Sequence, residues 1–307
     1  MKGSSLFGRL VASLGWGTGA SPAAEVEVAA ESAGVAAELE EARQRLESQD
    51  AERRRLLADI THELATPLTS IRGYAETLQN PEIHLDPEER TSYLGNILEE
   101  ARRMELLIQD LFEMARLESG SARLRPELLD WAALCRHSVA RFQPKFERAG
   151  LTLSYEGPGP GGPEAWLRAD GRRLEQVLEN LLVNAVRYVP EGSAVVVVIE
   201  PCREDGAEGS ARPPCHRLQV LADGPGFPPR DLDRIFDRFY RGELPESFPG
   251  SGLGLAIVKE LVELQGGRVS AANRRPTGAQ LTVTLPAVVV PVARAGGRVS
   301  PSPSHRP

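Results

Sequence analysis

The sequence predicts a long helical hairpin followed by a mixed α/β domain. Three observations predict it. Apolar residues recur at steps of three and four over residues 56–78 and again over 94–115. Strand-like and helix-like runs alternate from residue 131 onward. Between the two regimes lies a linker, 119–130, that contains Gly, Ser and Pro.

Composition bounds the answer. The chain has 307 residues, room for two or three domains. Hydrophobic content of 41% and charged content of 26% are those of a globular protein. A net charge of −7 excludes the basic footprint of a nucleic-acid binder. Three cysteines, Cys135, Cys202 and Cys215, give no disulfide framework, and a reducing cytoplasm is the expectation. Cys202 and Cys215 bracket a loop, which leaves a bridge, or a metal site with His216, as minor alternatives. No apolar run approaches the roughly 20 residues needed to span a bilayer, and no sensory domain or membrane span is expected in this chain.

Residues 1–36 read as a weakly structured N-terminal segment. Within it, Lys2 to Gly17 form a short amphipathic stretch bearing Leu6, Phe7, Leu10, Val11 and Leu14. Membrane-surface contact and packing on a partner are both open for it, and the partner is favoured. Residues 37–55 are helical and charge-laced, either a coiled-coil lead-in or a solvated single helix.

The first seam is Leu56, Ile60, Leu64, Pro67, Ile71, Tyr74 and Leu78. At roughly 100° per residue, His62 lies about 200° from both Ile60 and Leu64, so it points to solvent. Thr66 shares that face one turn on, and Glu63 flanks it. A helical histidine is most often a plain surface or core residue. Here the seam excludes a core role. A carboxylate, a hydroxyl and a helix-bending proline also surround one imidazole. Zinc binding of the HExxH type is excluded because Thr stands at position 66.

The second helix starts at Asp86-Pro87-Glu88-Glu89, with Asp86 as N-cap, Pro87 at the first helical position and Glu89 completing a capping box. Its seam is Leu94, Ile97, Ala101, Met104, Ile108, Leu111 and Ala115. Leu98, Leu107 and Phe112 widen the apolar face beyond what one partner helix covers. That predicts self-association of the 56–120 hairpin into a dimeric four-helix bundle.

The mixed region is predicted as helix 131–149, strands 151–155 and 165–169, helix 171–188 capped by Asp170, strands 195–200 and 217–221, and a final hairpin 268–272/279–285. On the 171–188 helix, Asn180, Asn184 and Arg187 form a stripe beside the apolar face. Interior asparagines are poor helix formers. Two of them in line with an arginine suggest amide oxygen for a hard cation and charge for a phosphate, although a surface stripe is the commoner outcome. Asp223-Gly224-Pro225-Gly226 follows a strand. Gly250-Ser251-Gly252-Leu253-Gly254 opens a helix, and helix N-termini are ready anion sites. Neither loop is a Walker or dinucleotide fingerprint. Between them Ile235–Arg241 presents aromatics and arginines, and 242–249 reads as a flexible lid. Residues 288–307 read as a disordered tail.

Together, HELATPL, NLLVNAVRY, ADGPGFP, FDRFYR and GSGLGLAIV, in that order, resemble the five boxes of bacterial two-component sensor histidine kinases. The resemblance covers about residues 50 to 286. It implies that residues 126–287 form an α/β sandwich ATP-binding domain of the histidine-kinase/Hsp90-like type. It also implies ATP and Mg²⁺ as cofactors, a homodimer, a response-regulator receiver domain as partner, and cytoplasmic signalling with phosphatase activity alongside kinase activity. By matching positions, His62 resembles the phosphorylated nucleophile, Glu63 the carboxylate that orients it, and Thr66 the residue that positions water for dephosphorylation. Asn184 resembles the Mg²⁺ ligand, with Asn180 beside it. Arg187, Tyr188, Asp223, Gly224, Gly226, Gly250, Gly252, Leu253 and Gly254 resemble nucleotide-lining residues, and Arg241 the arginine at the γ-phosphate. Two positions depart from the pattern. Ala65 stands where an Arg is usual. Ala222 stands where the family's base-binding Asp is usual, with Asp223 one place later; either a local shift lets Asp223 substitute, or nucleotide affinity is impaired. A non-catalytic dimeric scaffold with a degenerate ATP site is therefore the alternative function. An ATPase without phosphotransfer is disfavoured by the intact His62, Glu63 and Thr66.

Overall fold

A computed structural model describes residues 22–120, 123–160, 162, 165–203, 214–242 and 250–288. The amphipathic stretch 2–17, the loop core 204–213, the lid 243–249 and the tail beyond residue 288 lie outside the described residues. The chain divides into two compact units, 1–65 and 66–307.

Helix α1 spans Pro22–Gln79 and α2 spans Pro87–Glu118. The weak order expected up to residue 36 is corrected from Pro22 onward: these residues continue the helix. The lead-in is a solvated surface, with Arg43–Glu47 at 2.9 Å and Arg45–Glu41 at 2.6 Å, both i,i+4 pairs. Leu39 and Leu46, one heptad apart, are 72% and 65% exposed, an unpartnered stripe of coiled-coil spacing. At the start of α2 the capping box forms in full: Glu89 N donates to Asp86 Oδ1 at 2.7 Å and Asp86 N donates to Glu89 Oε2 at 3.0 Å.

The remaining elements are β1 (Glu127–Asp130), α3 (Trp131–Arg148), β2 (Thr152–Glu156), β3 (Trp166–Ala169), α4 (Gly171–Tyr188), β4 (Ala194–Arg203), β5 (Pro214–Ala222), a 3₁₀ turn at Pro229–Asp231, α5 (Gly254–Glu263), β6 (Arg268–Asn273) and β7 (Ala279–Pro286). Five strands form one sheet in the order β2-β4-β5-β7-β6, parallel only between β2 and β4. The expected linker is corrected at its end: residues 127–130 form β1, which pairs antiparallel with β3. Its partner lies some forty residues away, and four residues carry no readable alternation.

Helices α3, α4 and α5 cover one face of the sheet. Burial alternates along β4 and β5, as one covered face requires. Leu174, Leu182, Val195, Val197, Leu218, Val258 and Leu261 are all within 1% of complete burial. Each such side chain contributes roughly 1.5–3 kcal/mol when removed from water. Asp170 ties the layers together: its carboxylate accepts from Arg173 N and Arg125 N, and its own N–H donates to Gln265 Oε1.

Strands β4 and β5 run further than expected and are joined at their far end by a Cys202–Cys215 disulfide. The two cysteines are directly opposed in register. The expectation that these cysteines form no disulfide is thereby corrected: the minor alternative, a bridge, is what forms. Cys135 is free and buried in α3.

Candidate functional site

Helix α4 organises the site. Asp170 caps its start, and Leu174, Val177, Leu178, Leu181, Leu182 and Ala185 bury one face. Asn180, Asn184 and Arg187 fall on its half-buried flank. The Asn180 amide donates to the Gly254 carbonyl at 3.2 Å, which links the helix to the start of α5. That bond accounts for an asparagine inside a helix. Asn184 Oδ1 points the same way: a Cβ built on Gly254 would lie 4.0 Å from it. A Cβ on Gly250 would lie 3.1 Å from Tyr188 Oη and 3.6 Å from Arg187 Nη1. The second glycine loop therefore runs directly over the C-terminal half of α4. The first glycine loop reaches the end of the same helix, where a Cβ on Gly224 would lie 3.1 Å from Pro190 Cδ.

Each loop is held from outside. Gly252 has φ +69°, and a Cβ there would lie 2.7 Å from the Phe239 carbonyl carbon. Only glycine permits that approach. Phe239 is itself the non-glycine residue at positive φ among the described residues, at +58°. The aromatic segment and the second loop thus brace one another. Gly226 has φ +76° and sits against Asn273, whose amide clamps Phe227 by accepting from its N–H and donating to its carbonyl, both at 2.7 Å. Asn273 was not legible as a site-shaping residue; its one signal is its place at the β6–β7 turn, far from the loop in sequence.

Leu253 is completely buried, an apolar anchor under the loop, and its N–H donates to Ser251 Oγ at 3.2 Å. Helix α5 starts with no side-chain cap and no acidic residue in its first turn. Its N-terminus keeps the positive end of the helix dipole for an anion. Tyr240 donates to the buried Asp231 carboxylate at 2.7 Å, which raises the phenol above its usual range, and Arg234 stacks on its ring. Arg241 follows, half-buried, before Gly242.

Asp223 is engaged within the module. Its carboxylate pairs with Arg274 at 3.2 Å and accepts from Ala194 N at 3.3 Å, and the side chain is 53% exposed. Ala222 is buried, on the covered side of β5 with Leu218 and Val220.

In α1, His62 and Thr66 are exposed and Glu63 is half-buried, while Leu56, Ile60, Leu64 and Pro67 lie on the more covered side. The imidazole faces solvent, as the seam requires. Among the described residues no cluster of three His, Cys, Asp or Glu side chains is arranged for a metal. The Asn184 amide oxygen is a hard donor of the kind that suits Mg²⁺ shared with phosphates. No helix among the described residues is long and apolar enough to cross a membrane.

Residues 52–120 match the family described as His Kinase A (phospho-acceptor) domain, and residues 169–289 match Histidine kinase-, DNA gyrase B-, and HSP90-like ATPase. The sensor protein SphS of Synechococcus elongatus is 38% identical over 258 residues, covering 81% of this chain and 58% of SphS. The chain thus spans somewhat over half the length of that curated relative. Full-length ShkA, solved in complex with AMPPNP, superposes with a TM-score of 0.52 at 28% identity, over 76% of this chain and 46% of ShkA. Histidine kinase ThkA, solved with the response regulator protein TrrA, shares the fold with a TM-score of 0.58 at 23% identity, over 76% of this chain and 61% of ThkA. With a phosphoacceptor helical region followed by this ATPase fold, the chain belongs to the two-component sensor histidine kinase family.

Proposed function

We propose that this chain is an ATP-dependent protein-histidine kinase that phosphorylates His62 and passes the group to an aspartate of a response-regulator receiver domain. It works in the cytoplasm as a homodimer through the hairpin. One observation carries the reading: the second glycine loop runs over the C-terminal half of α4, where Asn184, Arg187 and Tyr188 stand, and the first abuts Pro190 just past the helix end. An anionic, base-bearing ligand fits that arrangement of backbone, amide and guanidinium.

The chemistry follows from the residues. A neutral imidazole nitrogen of His62 attacks the γ-phosphorus; the new N–P bond forms as the bond to the bridging oxygen breaks and ADP leaves. Glu63 takes the hydrogen bond from the ring's other nitrogen, fixes the tautomer and stabilises the ring as it becomes cationic. Arg187 and Arg241 supply positive charge for the phosphates. Asn184 would hold a Mg²⁺ ion, which when bound offsets phosphate charge. Thr66, one turn from His62, orients water for removing phosphate from the regulator. Incubation with γ-labelled ATP gives acid-labile label on the wild type and none on His62→Gln. Label retained by that variant refutes the assignment.

A second reading, a scaffold without catalysis, rests on Ala222 and on the engagement of Asp223 by Arg274. Absence of any ATP affinity in a direct titration would favour it.

A further inference from the structure

Helix α2 turns two acidic side chains, one turn apart, toward the ATPase-fold module. Asp110 Oδ2 accepts from the Ser251 hydroxyl at 2.9 Å. Ser251 lies between Gly250 and Gly252, and its oxygen also accepts from Leu253 N at 3.2 Å. Glu113 forms an ion pair with Arg173 in the first turn of α4. Leu107, Met114 and Leu117, on the same face of α2, are 2–4% exposed, and α2 packs against α5. The module is thus docked on α2 through a small apolar stripe with a carboxylate at each of two positions.

What Asp110 touches gives it significance. Its carboxylate is bound by a glycine-loop hydroxyl, and the same loop passes within 3.6 Å (from a Cβ at Gly250) of Arg187 Nη1. Burial raises the Asp110 carboxyl above its usual value, while the Ser251 hydroxyl and the Arg187 guanidinium pull it back. A part-buried carboxylate bonded to a hydroxyl of the glycine loop and lying in the field of a guanidinium occupies the kind of place that suits a phosphate.

We propose that Asp110 is an internal competitor for the phosphate end of the nucleotide site: it engages Ser251 and the field of Arg187 while α2 and the module are docked, and nucleotide phosphates displace it. This rests on reading the 250–254 loop as a phosphate cradle. The coupling is reciprocal, so ATP weakens the docked contact by the same factor by which docking weakens ATP.

The test is equilibrium titration of the whole chain with ATP and, separately, with adenosine, which has no phosphates. Asp110→Ala is expected to bind ATP about three- to tenfold more tightly than wild type, with adenosine affinity unchanged. Asp110→Asn, which keeps the shape and removes the charge, shifts ATP affinity in the same direction. ATP affinity unchanged by both variants, in a chain that binds ATP, overturns the competition alone. An equal gain for adenosine also overturns it, because the effect is then a general opening. No ATP binding by wild type or variants overturns the phosphate-cradle reading itself and the proposal with it.

Discussion

Helix α2 and the α/β module treat their leucines in opposite ways. On α2, Leu94, Leu98, Leu106 and Phe112 are 52%, 58%, 53% and 69% exposed. In the module, Leu174, Leu178, Leu181 and Leu182 on one helix are 0–1% exposed. Both helices are amphipathic, so the difference is not one of local propensity. The module closes its core within one chain, because three helices and a five-stranded sheet supply both layers. The hairpin has two helices and a face too wide for them, and an exposed apolar face of that extent marks an interface. One region closes its own core, and the other leaves an apolar face that the proposed homodimer would cover.

The contrast is broken most severely from the module side. Leu182→Ala is expected to lower unfolding free energy by about 2–5 kcal/mol, read from urea melts, because the site is enclosed on all sides. Phe112→Asp on α2 is expected to leave chain stability within about 0.5 kcal/mol at concentrations where the chain is monomeric, and to shift sedimentation from dimer to monomer. If Phe112→Asp leaves a dimer intact, the exposed face is not the interface. Next in size is the Cys202–Cys215 bridge, separated by 13 residues. Closing a loop near that length is worth about 3 kcal/mol, so Cys202→Ser with Cys215→Ser is expected to cost up to that amount in the module's melt under oxidising conditions. The wild type measured in reductant should approach the double variant. A smaller effect is expected at His216, whose pKa burial lowers. A histidine with its folded pKa depressed below its unfolded value destabilises the fold as pH falls through the unfolded value near 6.5, the loss being complete below the folded value. His216→Gln should flatten the melting temperature between pH 7 and 5.

The sequence made the hairpin legible because 3.6-residue periodicity over seven positions is hard to produce otherwise, and because Asp86 and Glu89 declare a helix start. The motif-bearing loops were legible through glycine spacing. Less was legible wherever partners are remote. Strand β1 has four residues and a partner beyond α3 and β2. Asn273 grips Phe227 across 46 positions, and Asp110 meets Ser251 across 141. The continuation of the helix from Pro22 lacked a periodic apolar face to announce it. The direction of the Asp223 carboxylate depends on Arg274, which no local pattern couples to the glycine loop.

The central claim is that the C-terminal half of α4, with the second glycine loop over it and the first at its end, holds a nucleotide despite Ala222. Calorimetric titration with ATP and Mg²⁺ tests it most directly, comparing wild type with Asn184→Ala. The account predicts saturable binding by wild type and at least about tenfold weaker binding by the variant, equivalent to ~1.4 kcal/mol. No binding by wild type, or equal binding by both proteins, would contradict it.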